Sequence, residues 1–238
     1  MSLPGAPELS VVIPVYNEAS GIAAVVAEWE AELDRLGLAA ELQLYDDGSR
    51  DGSGETLAAL AARSHRLVVR THANRGHGPT ILRGYREARG NWVAQADGDG
   101  EIPAAAFVAL WEARQGADFV LGVRQSRPQS PSRRLLSRGA RLAARALAGA
   151  PIADVNCPFR LVRAPALHEL LAAIPEDAAV PNVLLAALAV RRGLRWREVP
   201  VPFVGRRSGV SSLAAGKLLR LALRAVREVA AVARGRRR

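Results

Sequence analysis

Two carboxylates one residue apart, Asp97 and Asp99, close the stretch Asn91-Trp-Val-Ala-Gln-Ala-Asp-Gly-Asp-Gly100. An apolar run ending in alternating acids predicts a buried strand that emerges at its carboxyl end, the edge where open α/β sheets bind ligands. Gly98 and Gly100 let the backbone come close to whatever the acids hold. Two hard oxygen donors at such an edge suit Mg2+ or Mn2+ carrying a diphosphate, because these ions share their coordination shell with substrate phosphates. A solvated Asp-Gly turn uses the same residue types, so the choice between the two rests on the rest of the chain.

The elements around these acids alternate regularly. Apolar runs predict strands over 9–15, 41–45, 66–71, 92–96 and 119–123, with helices over 19–36, 52–63, 79–89 and 103–115 between them. That order implies a mostly parallel sheet covered on both faces. Right-handed crossovers then bring the strand ends at Val15, Tyr45 and Ala96 to one edge. The second half is less regular. A helix is expected over 133–147, with Arg134, Arg138, Arg141 and Arg145 on one face. Further helices are expected over 165–173 and 183–192, and an extended segment over 195–204. A final helix over 212–234 carries Lys217, Arg220, Arg224 and Arg227 as a basic stripe, opposite Leu218, Leu219, Ala222, Leu223 and Val226.

At 238 residues, 49% hydrophobic and 24% charged, the chain is long and apolar enough for a globular core. One cysteine, Cys157, excludes an internal disulfide framework and fits a reducing compartment. Residues 1–8 show neither the basic nor the apolar region of a signal peptide. The longest apolar stretch, 183–190, is shorter than the roughly 20 residues that span a bilayer. The expectation is a protein that is soluble or lies on a membrane surface. The net charge of +10 is unevenly placed: residues 124–145 hold seven arginines and no acid, and residues 206–238 hold ten basic residues against one acid. Two localised basic elements point to a specific anionic surface or ligand. Acids at the strand ends argue against nucleic acid, whose phosphates they would repel.

Seven short motifs follow one another along nearly the whole chain: Val12-Ile-Pro-Val-Tyr-Asn-Glu18, Asp46-Asp-Gly-Ser-Arg-Asp-Gly52, Asn74-Arg-Gly-His-Gly78, Asp97-Gly-Asp99, Gly122-Val-Arg124, Phe159-Arg-Leu161 and Arg206-Arg-Ser-Gly-Val-Ser211. In this order they resemble the family 2 glycosyltransferases, and within them the dolichyl- or polyprenyl-phosphate sugar synthases of the dolichol-phosphate mannose synthase type. The resemblance implies a GT-A fold, an α/β Rossmann-like, mostly parallel twisted sheet flanked by helices, over residues 1–211. Residues 212–238 would form a C-terminal basic amphipathic helix. It also implies that Pro14, Tyr16, Glu18, Tyr45, Asp47, Asp97 and Gly98 hold the nucleotide. Asp97, Asp99 and Arg124 would serve catalysis, with Asp99, Asp97 and Glu101 at an Mg2+ or Mn2+ ion and Arg124, Arg206 and Arg207 at the donor or acceptor phosphates. Structural parts for some of these residues stand beside those roles: Glu18 as an acid at a helix N-terminus, Asp47 as a turn-former before Gly48, and the arginines as solvated surface charge. Asp51 fits a cap for the helix after Gly52.

Two positions depart from the synthase pattern. Glu101 stands where the synthases usually carry a metal-contacting glutamine, and Ser212 where they carry a lysine. His65, His72, His77 and His168 lack metal-ligand spacing, although His77 lies in a Gly-flanked loop expected near the donor. Cys157 has no evident His or acid partner and reads as packing.

A phosphate monoester has a second pKa near ~6, so a lipid-phosphate acceptor is already anionic and needs no general base. An alcohol acceptor does need one. Strong donor-side motifs without a convincing base therefore favour an inverting, metal-dependent hexosyl transfer from a GDP- or UDP-sugar to a polyprenyl-phosphate acceptor. The alternative is transfer to a hydroxyl with Glu176, Asp177 or Asp154 as base. The basic helices would hold such an enzyme peripherally at the inner face of the cytoplasmic membrane, at about 1 kcal/mol per Lys or Arg on an anionic surface.

Overall fold

Four β-branched side chains, Val11, Val12, Ile13 and Val15, favour a strand over Leu9–Val15 (β1), and all seven of its residues are buried. The computed structural model describes residues 7–125, 142, 145–205 and 224–232. After β1 come α1 (Ile22–Arg35), β2 (Ala40–Asp46), α2 (Ser53–Ala61), β3 (Leu67–Thr71), α3 (His77–Glu87) and β4 (Trp92–Gln95). A single 3-10 turn (Ala104–Ala106) leads into α4 (Phe107–Ala113), followed by β5 (Phe119–Arg124), β6 (Arg160–Arg163), α5 (Ala164–Leu171), α6 (Pro181–Arg191) and β7 (Trp196–Val201). Residues 224–232 are also helical.

The seven strands form one sheet in the order β3-β2-β1-β4-β6-β5-β7. The strands expected from the apolar runs are all present and mutually parallel. One strand was not expected. β6 runs antiparallel between β4 and β5, pairing Gln95 with Arg160 and Leu121 with Arg160. The extended segment over 195–204 becomes β7, parallel to β5. The single helix expected over 103–115 begins as the 3-10 turn and continues as the shorter α4. Of the helix expected over 133–147, residues 142 and 145–148 are described and helical; the remainder lies outside the described residues, as do 206–223 of the C-terminal segment.

On one face, α1 turns Ile22, Val25, Val26, Trp29 and Leu33 inward at helical spacing. The Trp29 ring meets Phe107 at 5.3 Å and Phe159 at 5.9 Å, which joins α1 to α4 and to the residue before β6. On the other face lie α3, α5 and α6. α3 approaches the sheet through Gly84, where a Cβ would stand 2.3 Å from Val12 Cγ1 and 2.9 Å from the Tyr45 ring. Beneath α3 the sheet face is polar. The buried Glu41 carboxylate accepts from Ser10 Oγ (2.6 Å), Gln43 Nε2 (2.8 Å) and Arg89 Nε (3.0 Å), so its charge is matched where it is taken from water.

At the far edge, Asp118 ties β5 to its neighbours. Its carboxylate accepts from Arg195 Nε at 3.0 Å and Arg163 Nε at 2.8 Å. The Arg195 bond, opposed by partial burial and reinforced by the Arg163 bond and both charges, holds its pKa down at about 2, against an ordinary 3.8. A depressed carboxylate pKa contributes stability that is present above the unfolded value and lost as pH falls through the folded one. Both arginines are substantially solvated, so the contribution is about 1–2 kcal/mol. Asp118→Asn is therefore expected to lower the melting temperature at pH 7 and to flatten the loss of stability between pH 4 and pH 2. Thermal melts across that range check it; parallel curves for the two proteins would contradict the assignment.

Candidate functional site

Three loops meet where β1, β2 and β4 end. β1 pairs with β2 on one side and with β4 on the other, so connections from these strands leave in opposite directions and open a crevice at the carboxyl edge. Asp47 N–H donates to Val15 O (2.9 Å) and Ala96 N–H to Val12 O (3.1 Å), which fixes the second and third loops against the first.

The first loop carries Tyr16, Asn17 and Glu18. Tyr16 is 41% exposed, one of the few large rings open to solvent. Asn17 takes a positive φ of 55°, and its Oδ1 accepts from Arg50 N–H (2.9 Å) while its own N–H donates to Ser49 Oγ (3.0 Å). Glu18 is buried, with its N–H donating to Ser53 Oγ (2.9 Å). Asp51 accepts from Ser53 N–H and Ser53 Oγ at the start of α2 and from Ala19 N–H in the first loop. It therefore anchors Ser53, the first residue of α2, from the position before the N-cap Gly52, and clamps the first loop to the second. Pro14 is buried within β1.

Asp47 is buried, and both its oxygens are engaged: Arg75 N–H donates to one at 2.7 Å and Gly76 N–H to the other at 2.9 Å. Asn74 Nδ2 donates to the Asp47 carbonyl (3.0 Å). Asp47 thus pins the 74–76 loop, and so the N-terminus of α3, over the crevice. Sequence reasoning did not find this latch, because nothing local to Asp47 announces partners about thirty residues away.

In the third loop Gly98 packs closely on β1: a Cβ there would lie a tight 3.0 Å from Pro14 O and 3.5 Å from Val15 Cγ2. This contact presses Asp97 and Asp99 against the end of β1. Asp97 is 29% exposed, and His77 Nε2, in the first residue of α3, stands 3.8 Å from its Oδ1. That oxygen is buried and has no hydrogen-bond partner among the described residues. Asp99 and Glu101 are half-buried; Glu101 N–H donates to Asp99 Oδ1 at 3.1 Å, and Val204 N–H to Glu101 O at 3.0 Å. Among the described residues no three His, Cys, Asp or Glu side chains converge on one point as a ready-made metal cage. The expected ligand set Asp97, Asp99 and Glu101 therefore lies on one loop without being preassembled. An orphaned carboxylate oxygen beside further hard donors still fits a cation that takes much of its shell from a substrate diphosphate.

Some expected site residues lie elsewhere. Tyr45 faces α3 and is fully buried, its hydroxyl 2.9 Å from Glu87 Oε2 and 3.3 Å from Gln43 Oε1. Strand alternation turns it away from the crevice, so the expected contact with a nucleotide is not made by this side chain. Arg124 is buried in a two-bond pair with Asp154, at 2.7 and 2.8 Å. Burial alone would lower its pKa, but the bond and charge of Asp154 outweigh this and raise it. Arg124 thus enters as a paired, positioned cation, and Asp154, held by both oxygens, is poorly placed as a base. Glu176 and Asp177 are exposed, Asp177 paired with Arg224 at 3.0 Å. Arg206 and Arg207 lie outside the described residues, as does Ser212.

Cys157 is buried, and burial pushes its thiol up to about 12, far from the thiolate needed for reaction. Native protein is expected to resist a thiol-specific reagent for hours at pH 8 and to react within minutes in denaturant. Rapid labelling of the native state would contradict that packing.

Relatives place this geometry. The chain is 36% identical over 216 residues to an undecaprenyl-phosphate 4-deoxy-4-formamido-L-arabinose transferase of Pseudomonas paraeruginosa, covering 90% of this chain and 62% of that protein. A protein of the same name from Edwardsiella ictaluri is 33% identical, covering 90% of this chain and 65% of that one. The chain thus spans a little under two thirds of the length of these relatives. A crystal structure of mannosyl-3-phosphoglycerate synthase from Rubrobacter xylanophilus superposes with a TM-score of 0.72 at 19% identity, covering 96% of this chain and 74% of that one. Glucosyl-3-phosphoglycerate synthase from Mycobacterium tuberculosis, crystallised with Mn2+, UDP-glucose and phosphoglyceric acid, gives 0.71 at 19% identity, covering 97% and 80%. The architecture is therefore the GT-A fold that the ordered motifs implied. With residues 10–171 matching the family described as Glycosyl transferase family 2, the chain belongs to that family.

Proposed function

We propose that the protein is an inverting, divalent-cation-dependent glycosyltransferase that moves a sugar from a UDP- or GDP-linked donor to a polyprenyl-phosphate-type lipid. The observation that carries this reading is the crevice between β1 and β4, where Asp97 and Asp99 stand against the end of β1 opposite Tyr16, Glu18 and the Asp47 latch. The names of the two transferases from Pseudomonas paraeruginosa and Edwardsiella ictaluri, which both include undecaprenyl phosphate, support the acceptor class.

In this mechanism Tyr16 offers its ring to the base, and the buried Glu18 an acceptor for base or ribose donors. Asp47 acts through the loop it pins, keeping the first turn of α3 and His77 over the crevice. Asp99 and Asp97, with Glu101 beside them, would hold Mg2+ or Mn2+. The ion would supply charge stabilisation to the departing diphosphate. Arg124, fixed by Asp154, contributes a buried positive charge behind Asp97. An acceptor phosphate brings its own negative oxygen, so attack on the anomeric carbon in a single displacement inverts that centre without a base. The weak placement of Asp154, Glu176 and Asp177 as bases is consistent with such an acceptor.

We further propose peripheral binding to an anionic membrane at the cytoplasmic face. No helix among the described residues is long and apolar enough to cross a membrane. Arg145 and Arg227 are exposed, and Leu142 and Val226 are exposed apolar residues on the same two segments. Arg224 differs from the expected free stripe: it is paired with Asp177 and Glu228. Val226, expected on the apolar side opposite the arginines, is exposed, and Val229 is buried instead.

The test is incubation of the full chain with radiolabelled UDP- and GDP-sugars, Mn2+, and either undecaprenyl phosphate or a soluble hydroxyl acceptor such as 3-phosphoglycerate. Label in the organic phase is the expected result. Label on the soluble acceptor alone, or no transfer with either, would overturn the proposal.

A further inference from the structure

We propose that Arg160 is a positioning residue of the donor site: a buried cation with no carboxylate partner of its own, which sets the charge balance beneath Asp97. The proposal rests on the function argued above. Arg160 is 0% exposed, in the middle of β6. Its guanidinium donates to the carbonyls of Cys157 and Asn182, the latter at 2.9 Å, and among the described residues no bond runs to a carboxylate. Two backbone carbonyls call for donors and not for a charge, which any neutral amide would supply without the cost of burying an ion. The charge therefore calls for an explanation beyond local structure.

The surroundings supply one. Burial opposes the charge of Arg160, and Tyr85, Cys157, Asp154 and Asp97 lie in its field, the last two being carboxylates. Asp154 is already held by both oxygens in the pair with Arg124. Asp97, whose charge also reaches Arg124, is the carboxylate of the two that is not held in a two-bond arginine pair and can balance Arg160. In register, Arg160 lies opposite Gln95, two residues before Asp97 on the same strand, and Tyr85 Oη is 2.7 Å from Gln95 Oε1. Gln95 Nε2, Asn182 Oδ1 and Asp97 Oδ1 are all buried without hydrogen-bond partners, and each belongs to a residue linked to Arg160 by register, bond or charge. A polar layer left partly unsatisfied in this way sits directly behind the carboxylates that face the donor.

The consequence is a trade. The buried cation weakens the hold of Asp97 and Asp99 on a divalent ion, and it stabilises the extra negative charge on the nucleoside diphosphate as the sugar–oxygen bond breaks. Removing the charge is expected to improve cation binding and slow turnover, a pairing that loss of fold does not produce.

The experiment compares Arg160→Gln, Arg160→Met and Arg160→Lys with the wild type in the full chain. Mn2+ affinity is read without donor from the electron paramagnetic resonance of the free ion, alongside kcat, donor KM and thermal melts. The neutral variants are expected to bind Mn2+ ~10-fold more tightly and to lose at least ~10-fold in kcat with donor KM little changed; Arg160→Lys is expected to restore both. A folded neutral variant with wild-type Mn2+ affinity would overturn the inference. Where neither neutral variant folds, Asp97→Asn decides. With Asp97 as counter-charge to Arg160, that variant melts below wild type; a melt at or above wild type overturns the inference. Wild-type protein that binds no Mn2+ and transfers no sugar overturns the proposed function and this inference together, whereas an active wild type matched by its neutral variants overturns this inference alone.

Discussion

Asp99→Ala is expected to lower kcat/KM by about 10²–10³-fold while the protein melts at or close to the wild-type temperature. Asp99 is half-buried on the loop that follows β4, where its Oδ1 accepts from Glu101 N–H at 3.1 Å. Losing that bond costs about 1 kcal/mol. Removing one of three acids from a single short loop relieves repulsion of similar size. Stability and activity should therefore separate, as expected of a residue whose work is done on a ligand. Steady-state transfer measured beside a thermal melt checks the separation. Wild-type turnover in this variant would remove Asp99 from the cation site.

Gly78→Ala is expected to damage both stability and donor binding. A Cβ at residue 78 would lie 2.2 Å from Ala178 O and 3.0 Å from Ala179 Cα, both backbone atoms. The 177–180 loop is poorly placed to give way, because Glu228 accepts from Ala179 N–H (2.8 Å) and Val180 N–H (3.2 Å), and Arg224 holds Asp177. α3 must shift instead, taking His77 away from Asp97. The overpacking cost is roughly 2–3 kcal/mol, a fall in melting temperature on the order of 5–10 °C for a chain of this size. Donor KM is expected to rise several-fold. An unchanged melt and an unchanged KM would show that α3 does not rest on this loop in solution.

These two predictions draw on different layers of what the sequence disclosed. The parallel strands were legible because runs such as Leu9–Val15 are apolar throughout, the mark of strands covered on both faces. The acidic rim followed, since parallel strands joined by crossovers end on one edge. β6 was hidden: Arg-Leu-Val-Arg is four residues long, bounded by arginines, and becomes a strand only because β4 and β5 flank it. Tyr45 was misplaced by one step of alternation. Asp46 and Tyr45 are adjacent in sequence but face opposite sides of the sheet, and local pattern does not say which side holds the crevice. Arg124 was recognised as important, yet its partner Asp154 lies thirty residues on. The same holds for Asp47, whose carboxylate meets amides at residues 75 and 76. Backbone donors bear no side-chain signature, so no sequence pattern marks them. Gly78 was visible within a motif, but the reason for a glycine there appears only once α6 and the 177–180 loop are in place.

The 206–223 segment and most of the 126–144 segment carry the greater part of the excess positive charge and lie outside the described residues. Sedimentation with vesicles containing anionic lipid is expected to bring down the protein at low salt and release it at high salt.

The central claim is that the carboxyl edge between β1 and β4 binds a nucleotide diphosphate through a divalent cation. It is tested most directly by a crystal grown with Mn2+ and UDP or GDP, with data collected at the manganese edge. An anomalous peak within coordination distance of Asp99 and of the diphosphate, with the base against Tyr16, is the predicted result. Nucleotide bound with no manganese beside Asp97 or Asp99, or manganese at another place on the chain, would contradict it.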